Sequence, residues 1–363
     1  MFTCKPEGYE AAQRRIDTFW NFEETDRPLL LLTYRKPGYE AFPSKSYATL
    51  EERWMDFDYQ VAKIAHNMEN TVFFADTMPV VMPNLGPEII SAMAGCPYHF
   101  GEDTTWTDPC IWDWENDKDK GIIDQNSYYF KKMDEFTRLM IQRAKGSFIV
   151  GLSDFHPGGD HVAALRDPQV LATDLYDYPN EVNAKLVSSY EEYFPVFDHF
   201  VSLIKDAKMP IASWLPLTTE TSMYISSNDF SYMISKEMFD GFFLDGLIEE
   251  CRHYQKSIHH LDGIGCLRHL DSILSVPNIN AIQWVPGSGK EQVTPWIDVF
   301  KKIIGAGKSV IAYPGSKKEV QLLMDHLPAQ GLCLQMSASN REEAEDILNF
   351  VEQWPIKKWG HPK

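Results

Sequence analysis

Residues Ile258–Gly289, IHHLDGIGCLRHLDSILSVPNINAIQWVPGSG, decide the fold. A short apolar run ends in His260-Leu261-Asp262-Gly263. A helix-like segment follows, and a second buried-type strand, Asn280 to Trp284, runs into Pro286-Gly287. Strand, crossover helix and strand in this order is the unit of a parallel αβ protein, and such proteins place ligands beyond the carboxyl ends of their strands. The imidazole, carboxylate, amide and indole groups of His260, Asp262, Gln283 and Trp284 therefore fall where a site is expected.

Working outward, the same alternation recurs. Eight strands are predicted: Pro28–Arg35, Val72–Val81, Ser147–Asp154, Pro210–Pro216, Ser257–Asp262, Asn280–Val285, Lys308–Tyr313 and Gly331–Ser337. Most are rich in leucine or β-branched residues and end in Gly, Pro, Asp or Ser, as buried parallel strands do. Ser235 to Lys256 reads as a helix capped by Ser235, with Met238, Phe239, Phe242, Phe243, Leu247 and Ile248 near one face, and Glu342 to Trp354 reads as the last helix. Eight strand–helix alternations predict an α/β fold, a (β/α)8 TIM barrel. A barrel needs about 250 residues. The surplus falls in a helical N-terminal extension, about residues 1–27, and in inserts after the first and second strands. One insert, Glu102–Ile123, is rich in Trp, Asp and Lys and is expected at the surface. No Gly/Ser linker divides residues 1–363, so a single domain is expected.

Composition excludes several classes. With 44% hydrophobic and 13% aromatic residues the chain can bury a large core. The net charge is −18, from 34 Lys plus Arg against 52 Asp plus Glu, and no basic cluster carries interleaved aromatics, so no nucleic acid partner is expected. No apolar run reaches the roughly 18–20 residues of a membrane span, and the N-terminus lacks a signal-peptide core. No membrane partner and a cytoplasmic location are the expectations. Cys4, Cys96, Cys110, Cys251, Cys266 and Cys333 are scattered singly, without a CxxC pair, and read as reduced thiols. Gly287-Ser288-Gly289-Lys290 is no phosphate loop, because Trp284 and Glu291 stand where Gly and Ser/Thr are needed.

Several residues then form a pattern. Asp26-Arg27-Pro28 leads into the first strand. Phe74-Ala75-Asp76-Thr77-Met78 precedes Pro83-Asn84-Leu85-Gly86. Asn228-Asp229-Phe230 comes shortly before Ser235-Lys236-Glu237-Met238-Phe239, and the His260-Leu261-Asp262-Gly263 and Gln283–Gly287 blocks follow. From about Arg14 to Trp354 the chain resembles the uroporphyrinogen decarboxylase superfamily, in particular a branch with an HLDG motif. That superfamily includes the decarboxylase and zinc-dependent methyltransferases that move methyl groups between corrinoids, thiols and methoxy compounds.

The resemblance implies two sites. The decarboxylase pattern maps its first-strand motif onto Arg35-Lys36-Pro37-Gly38-Tyr39, with one arginine kept, and its aspartate onto Asp76. The methyltransferase pattern of His-x-Cys and a later Cys maps onto His260, Asp262 and Cys333, giving an implied zinc site. The implied function is a methyltransferase-like enzyme acting on a small methylated or methoxylated substrate, with a corrinoid protein as methyl acceptor. A metal-free decarboxylase and a non-catalytic ligand-binding barrel are the alternatives, and a homodimer is implied. In these readings His260, Asp262 and Asp76 are catalytic. Arg35, Tyr39, Asp154, His156, Trp214, Asp229, Gln283 and Trp284 bind substrate. Each also has a plainer reading: His260 as a hydrogen-bonded core residue, Cys333 as a small buried apolar group, Trp214 and Trp284 as core filling, and Asp76 as a paired buried carboxylate.

Overall fold

The computed structural model describes residues 8–355; Cys4 and the start of the N-terminal extension lie outside them. The extension contains the expected helix, Tyr9–Asn21, whose Ala12, Ile16, Phe19 and Trp20 are buried. Eleven strands follow: β1 Leu29–Arg35, β2 Thr71–Ala75, β3 Val80–Val81, β4 Tyr98–Phe100, β5 Thr105–Thr107, β6 Ile149–Val150, β7 Met223–Ser227, β8 Lys256–Asp262, β9 Ile279–Val285, β10 Ser309–Ala312 and β11 Leu332–Ser337. Seven of them form one sheet in the order β2-β1-β11-β10-β9-β8-β7, and every pairing except β1 with β2 is parallel. The fold is thus α/β with a mostly parallel central sheet.

Period-two alternation gives this sheet two apolar faces. Leu29, Leu31, Ile225, Ile258, Ala281, Ile311 and Cys333 pack in one core. Leu30, Leu32, Leu261, Ile282, Trp284, Val310 and Leu334 pack in another, against flanking helices such as Ile297–Gly305 and Arg341–Gln353. Ser235 caps its helix as expected, accepting a hydrogen bond from the Met238 N–H. The expected long helix is two, Lys236–Phe242 and Leu244–Tyr254.

Strand expectations need three corrections. Pro210–Pro216 forms no strand; Ile211 makes only an isolated antiparallel bridge with Thr219, and prolines at both ends remove ladder donors. The segment still lies beside β6, because the Leu152 N–H donates to Ala212 O at 2.8 Å. Glycine permits this approach: a Cβ on Gly151 would lie 2.4 Å from Ser213 O. The true neighbour of β8 is β7, whose Ser-containing sequence MYISS gave little strand signal. Last, Val72–Val81 is not one strand. Ala75 takes φ 55°, the chain turns, and β2 runs antiparallel to β1 while β3 pairs with β6. The ladder is therefore interrupted around β3, β6 and 210–213, and the expected eight-stranded ring is not a continuously hydrogen-bonded one.

The reversal of β2 carries Asp76 to the beginning of β1. Its carboxylate accepts from the Arg27 guanidinium at 2.5 and 3.0 Å, from Arg15 at 3.1 Å and from the Leu30 N–H at 2.9 Å. Both Asp76 and Arg27 are buried. Every lone-pair direction is answered by protein, so Asp76 closes the fold, and it does not line the cavity beyond the ends of β6, β7 and β8. A buried pair costs most when one partner is removed. Asp76→Ala is expected to lower unfolding free energy by about 3–5 kcal/mol, measured by urea denaturation.

A second buried carboxyl, Glu250, receives the Tyr254 hydroxyl at 2.8 Å. Burial pushes it from an ordinary value of 4.5 up to about 8. The folded chain thus holds this proton more tightly than the unfolded chain. The associated stability is complete below about 4.5 and is lost as pH rises through about 8. Glu250→Gln is expected to match the parent protein near the acidic end of that window. Above it the variant should be more stable by about 3–5 kcal/mol, read from denaturation at several pH values.

Candidate active site

Beyond the ends of β6, β7 and β8 lies a cavity of about 720 Å³. Asp154 and His156 reach it from the loop after β6, Trp214 from the 210–216 segment, Asp229 from the turn after β7, and His260 from β8. These five expected residues share one space. Asp160, His161, Glu88, Ser91, Met82, Phe230 and Met233 line it too. Glu88, Ser91 and Met82 gave no signal in the sequence, because they sit in an insert whose path only packing reveals.

The parallel register builds the centre of the site. Ser227 on β7 lies beside His260 on β8, which lies beside Gln283 on β9. His260 and Asp262, two apart on one strand, project to the same side. Asp229 begins the short 3-10 turn Asp229–Met233 directly after β7. One ligating atom each from Asp229, His260 and Asp262 fall within 4.8 Å of one another. Asp262 Oδ1 is buried and has no hydrogen-bond partner.

Gln283 fixes the histidine. Its Oε1 accepts from the Trp214 indole N–H at 3.3 Å and lies 2.9 Å from His260 Nδ1, while its amide nitrogen donates to the Tyr313 hydroxyl at 2.6 Å. An indole N–H only donates, so the amide oxygen must face it, and the proton between Gln283 and His260 belongs to Nδ1. In that tautomer Nε2 carries the ring's lone pair, which a cation or a proton can take. Trp214 also stands edge-on to the His260 ring, 6.3 Å away, and is stacked on His156 at 6.3 Å. It is a wall between two imidazoles.

Behind that wall is a charged group. His156 Nε2 lies 2.6 Å from Asp154 Oδ1, and Nδ1 lies 3.6 Å from Asp160 Oδ2. Burial opposes charge on His156, but the Asp154 and Asp160 carboxylates raise it well above the usual imidazole range. Burial likewise opposes ionisation of Asp160, and the His156 ring beside it, together with the Phe230 N–H that donates to it at 2.9 Å, holds it below the ordinary value. Asp229 goes the other way. Enclosure in the cavity, then the Asp160 charge, push its carboxyl up to about 6 although it stays open to solvent. The Ser227 hydroxyl lies 3.2 Å from both Asp160 and Asp229. His161, pushed down to about 3 by burial, is neutral; its Nδ1 lies 2.9 Å from Ser91 Oγ.

The Gly158-Gly159 pair lies where the loop after Asp154 enters the helix Gly159–Arg166. Side chains on those residues would meet Tyr190 and Asn228, so the glycines let this loop pack.

The other expected site residues lie elsewhere. Arg35 is exposed at the end of β1, donating to Asn67 O and Thr71 Oγ1, with Tyr39 stacked on it 4.7 Å away. Tyr39 donates to Asn67 Oδ1, and neither residue lines the cavity. Trp284 follows Gln283, so the pleat sends it to the opposite face, where it packs edge-on against Trp296 at 5.3 Å. Cys333 is fully buried in the apolar core, where burial raises its thiol, and it is not part of the Asp229–His260–Asp262 group.

Gln283→Leu removes the acceptor that holds the Nδ1 proton. Nitrogen NMR of His260 is expected to show the Nδ1–H tautomer in the parent protein and a mixture in the variant. An unchanged tautomer would contradict the assignment.

No family model and no curated protein matches this sequence. The structure is similar to that of a methyltransferase from Methanosarcina mazei, with a TM-score of 0.58 over 94% of this chain and 98% of that one, at 10% identity. At that identity the likeness is one of fold.

Proposed function

We propose that this protein is a methyltransferase-like enzyme of the uroporphyrinogen decarboxylase superfamily, built on a (β/α)8-type barrel and acting on a small methylated or methoxylated substrate. The observation that carries this reading is the convergence of Asp229 and His260, which line the cavity, with Asp262, one ligating atom of each lying within 4.8 Å of the others, on a fold shared with a methyltransferase.

The residues fit a zinc ion. Imidazole nitrogen and carboxylate oxygen both ligate Zn²⁺. His260 presents Nε2 because Gln283 holds Nδ1, and Asp262 Oδ1 is otherwise a buried acceptor without a donor. Asp229, His260 and Asp262 would hold the metal. When bound, zinc supplies Lewis acidity toward a substrate thiol or methoxy oxygen.

The chain's own groups do the rest. Trp214, Phe230 and Met233 give apolar surface for a methyl-bearing group and exclude water. Asp154 and Asp160 hold a proton on the His156 ring, from which a departing oxygen can be neutralised. Tyr232, Met233 and Ile264, each more than 40% exposed, follow Asp229 and Gly263 and offer an apolar patch for an acceptor such as a corrinoid protein.

Charge separates this reading from decarboxylation of a polycarboxylate. Glu88, Asp154, Asp160, Asp167 and Asp229 line the cavity, and among the described residues no Lys or Arg does. A multiply anionic substrate would be repelled there. Neutral or cationic methylated compounds suit it.

The test is zinc titration by calorimetry, followed by methyl-transfer assays with methylated thiols, methoxyaromatics and methylated amines, using reduced cobalamin as acceptor. The parent protein is expected to bind one zinc, and His260→Ala and Asp262→Asn to weaken it at least tenfold. Absence of zinc binding, or affinity unchanged in both variants, would remove the metal centre from the proposal.

A further inference from the structure

We propose that Cys96 and Cys110 form an oxidant-sensitive thiol pair that closes to a disulfide and staples one wall of the cavity. Their Sγ atoms lie 3.3 Å apart, closer than two sulfur atoms in ordinary contact. Fourteen positions separate them in sequence, with the β4–β5 hairpin between, so nothing in the cysteine spacing announces the pair.

Both ends are anchored by other parts of the fold. Cys96 follows the helix Ile89–Met93, and its N–H donates to Ser91 O at 3.1 Å. The Cys110 N–H donates to Leu165 O at 3.0 Å, at the end of the helix Gly159–Arg166. A disulfide needs the sulfurs to close from 3.3 Å to about 2.05 Å. Glu88 and Ser91 on one side, and Thr107 and Pro109 on the other, line the cavity. A bond between the cysteines would tie these two stretches together at its edge.

Exposure assigns the roles. Cys110 is half-buried and Cys96 is buried. The Cys110 thiol lies below its ordinary range, chiefly through the hydrogen bond from Cys96, against the opposing effect of burial, and with help from Lys185 and Lys120. Cys96 is raised by the same hydrogen bond and by burial. Cys110 is therefore the attacking thiolate. With a peroxide as oxidant, the Cys110 sulfur displaces one peroxide oxygen as water and becomes a sulfenic acid. The Cys96 sulfur then attacks it, the S–S bond forms, and the sulfenic oxygen leaves as a second water. Two thiols are oxidised and one peroxide is reduced. Among the described residues Cys251, Cys266 and Cys333 are each buried; the first two contact serine hydroxyls and the third sits in apolar core.

The experiment treats the native full-length protein with hydrogen peroxide, blocks free thiols with iodoacetamide and maps peptides without reductant. A Cys96–Cys110 linked peptide, lighter by two hydrogens than its parts and lost again with dithiothreitol, is expected. Cys110→Ser should abolish the link. Cys96→Ser should leave Cys110 as a sulfenic acid that dimedone traps. No linked peptide, pairing of either residue with Cys4 or another cysteine, or oxidation of Cys110 to the sulfonic acid without pairing would overturn the proposal. The map of the parent protein decides even where a serine variant fails to fold.

Discussion

Lateral pairing of β7, β8 and β9 holds the site together. It puts Ser227, His260 and Gln283 side by side on one face of the sheet. A slip of one residue in β8 would turn His260 and Asp262 into the outer helix layer and bring Leu261 inward. The apolar alternation forbids that slip, since Ile258 belongs to the inner core and Leu261 to the outer one. The same register that buries these residues therefore aims the imidazole. Gln283 completes the arrangement by using both ends of its amide, one toward Trp214 and His260 and the other toward Tyr313.

Around that row the cavity separates two kinds of carboxylate. Asp154 and Asp160 are committed to His156, which they keep charged. Asp229 and Asp262 are in no ion pair among the described residues, and burial with the neighbouring Asp160 charge makes Asp229 hold its proton more tightly. Unpaired carboxylates facing a histidine with a free ring nitrogen form an arrangement that a divalent cation would relieve. Asp76 shows the contrasting case. Two arginines and a backbone N–H satisfy it, and it contributes cohesion instead of reactivity.

Much of this was legible in the residues. The αβ alternation, the helix cap at Ser235, and the placing of His260, Asp154 and His156 at or just beyond the ends of parallel strands follow from period-two patterning and from where strands must stop, whereas Trp214 and Asp229 reach the cavity from an irregular segment and from a strand the patterning did not mark. Asp76, Arg35, Tyr39, Trp284 and Cys333 were misplaced for identifiable reasons. β2 runs antiparallel to β1, so its end at Ala75 and the following Asp76 fall at the start of β1, away from the cavity, and the positive φ at Ala75 turns the chain only after that. Arg35 and Tyr39 find partners in Asn67 on a neighbouring helix. Pleating separates Trp284 from Gln283, and Cys333 is fully buried in the inner apolar core.

By itself, then, the order of residues determined the layer architecture and which side chains stand near strand ends, because hydrophobic period and turn chemistry are local properties. Only the tertiary structure decided which of those ends meet. Asp229 joins His260 and Asp262 through strand pairing, and Cys96 meets Cys110 because two helices hold the ends of a hairpin together. Contacts of this kind are set by register and by packing between distant segments, and no local pattern encodes either.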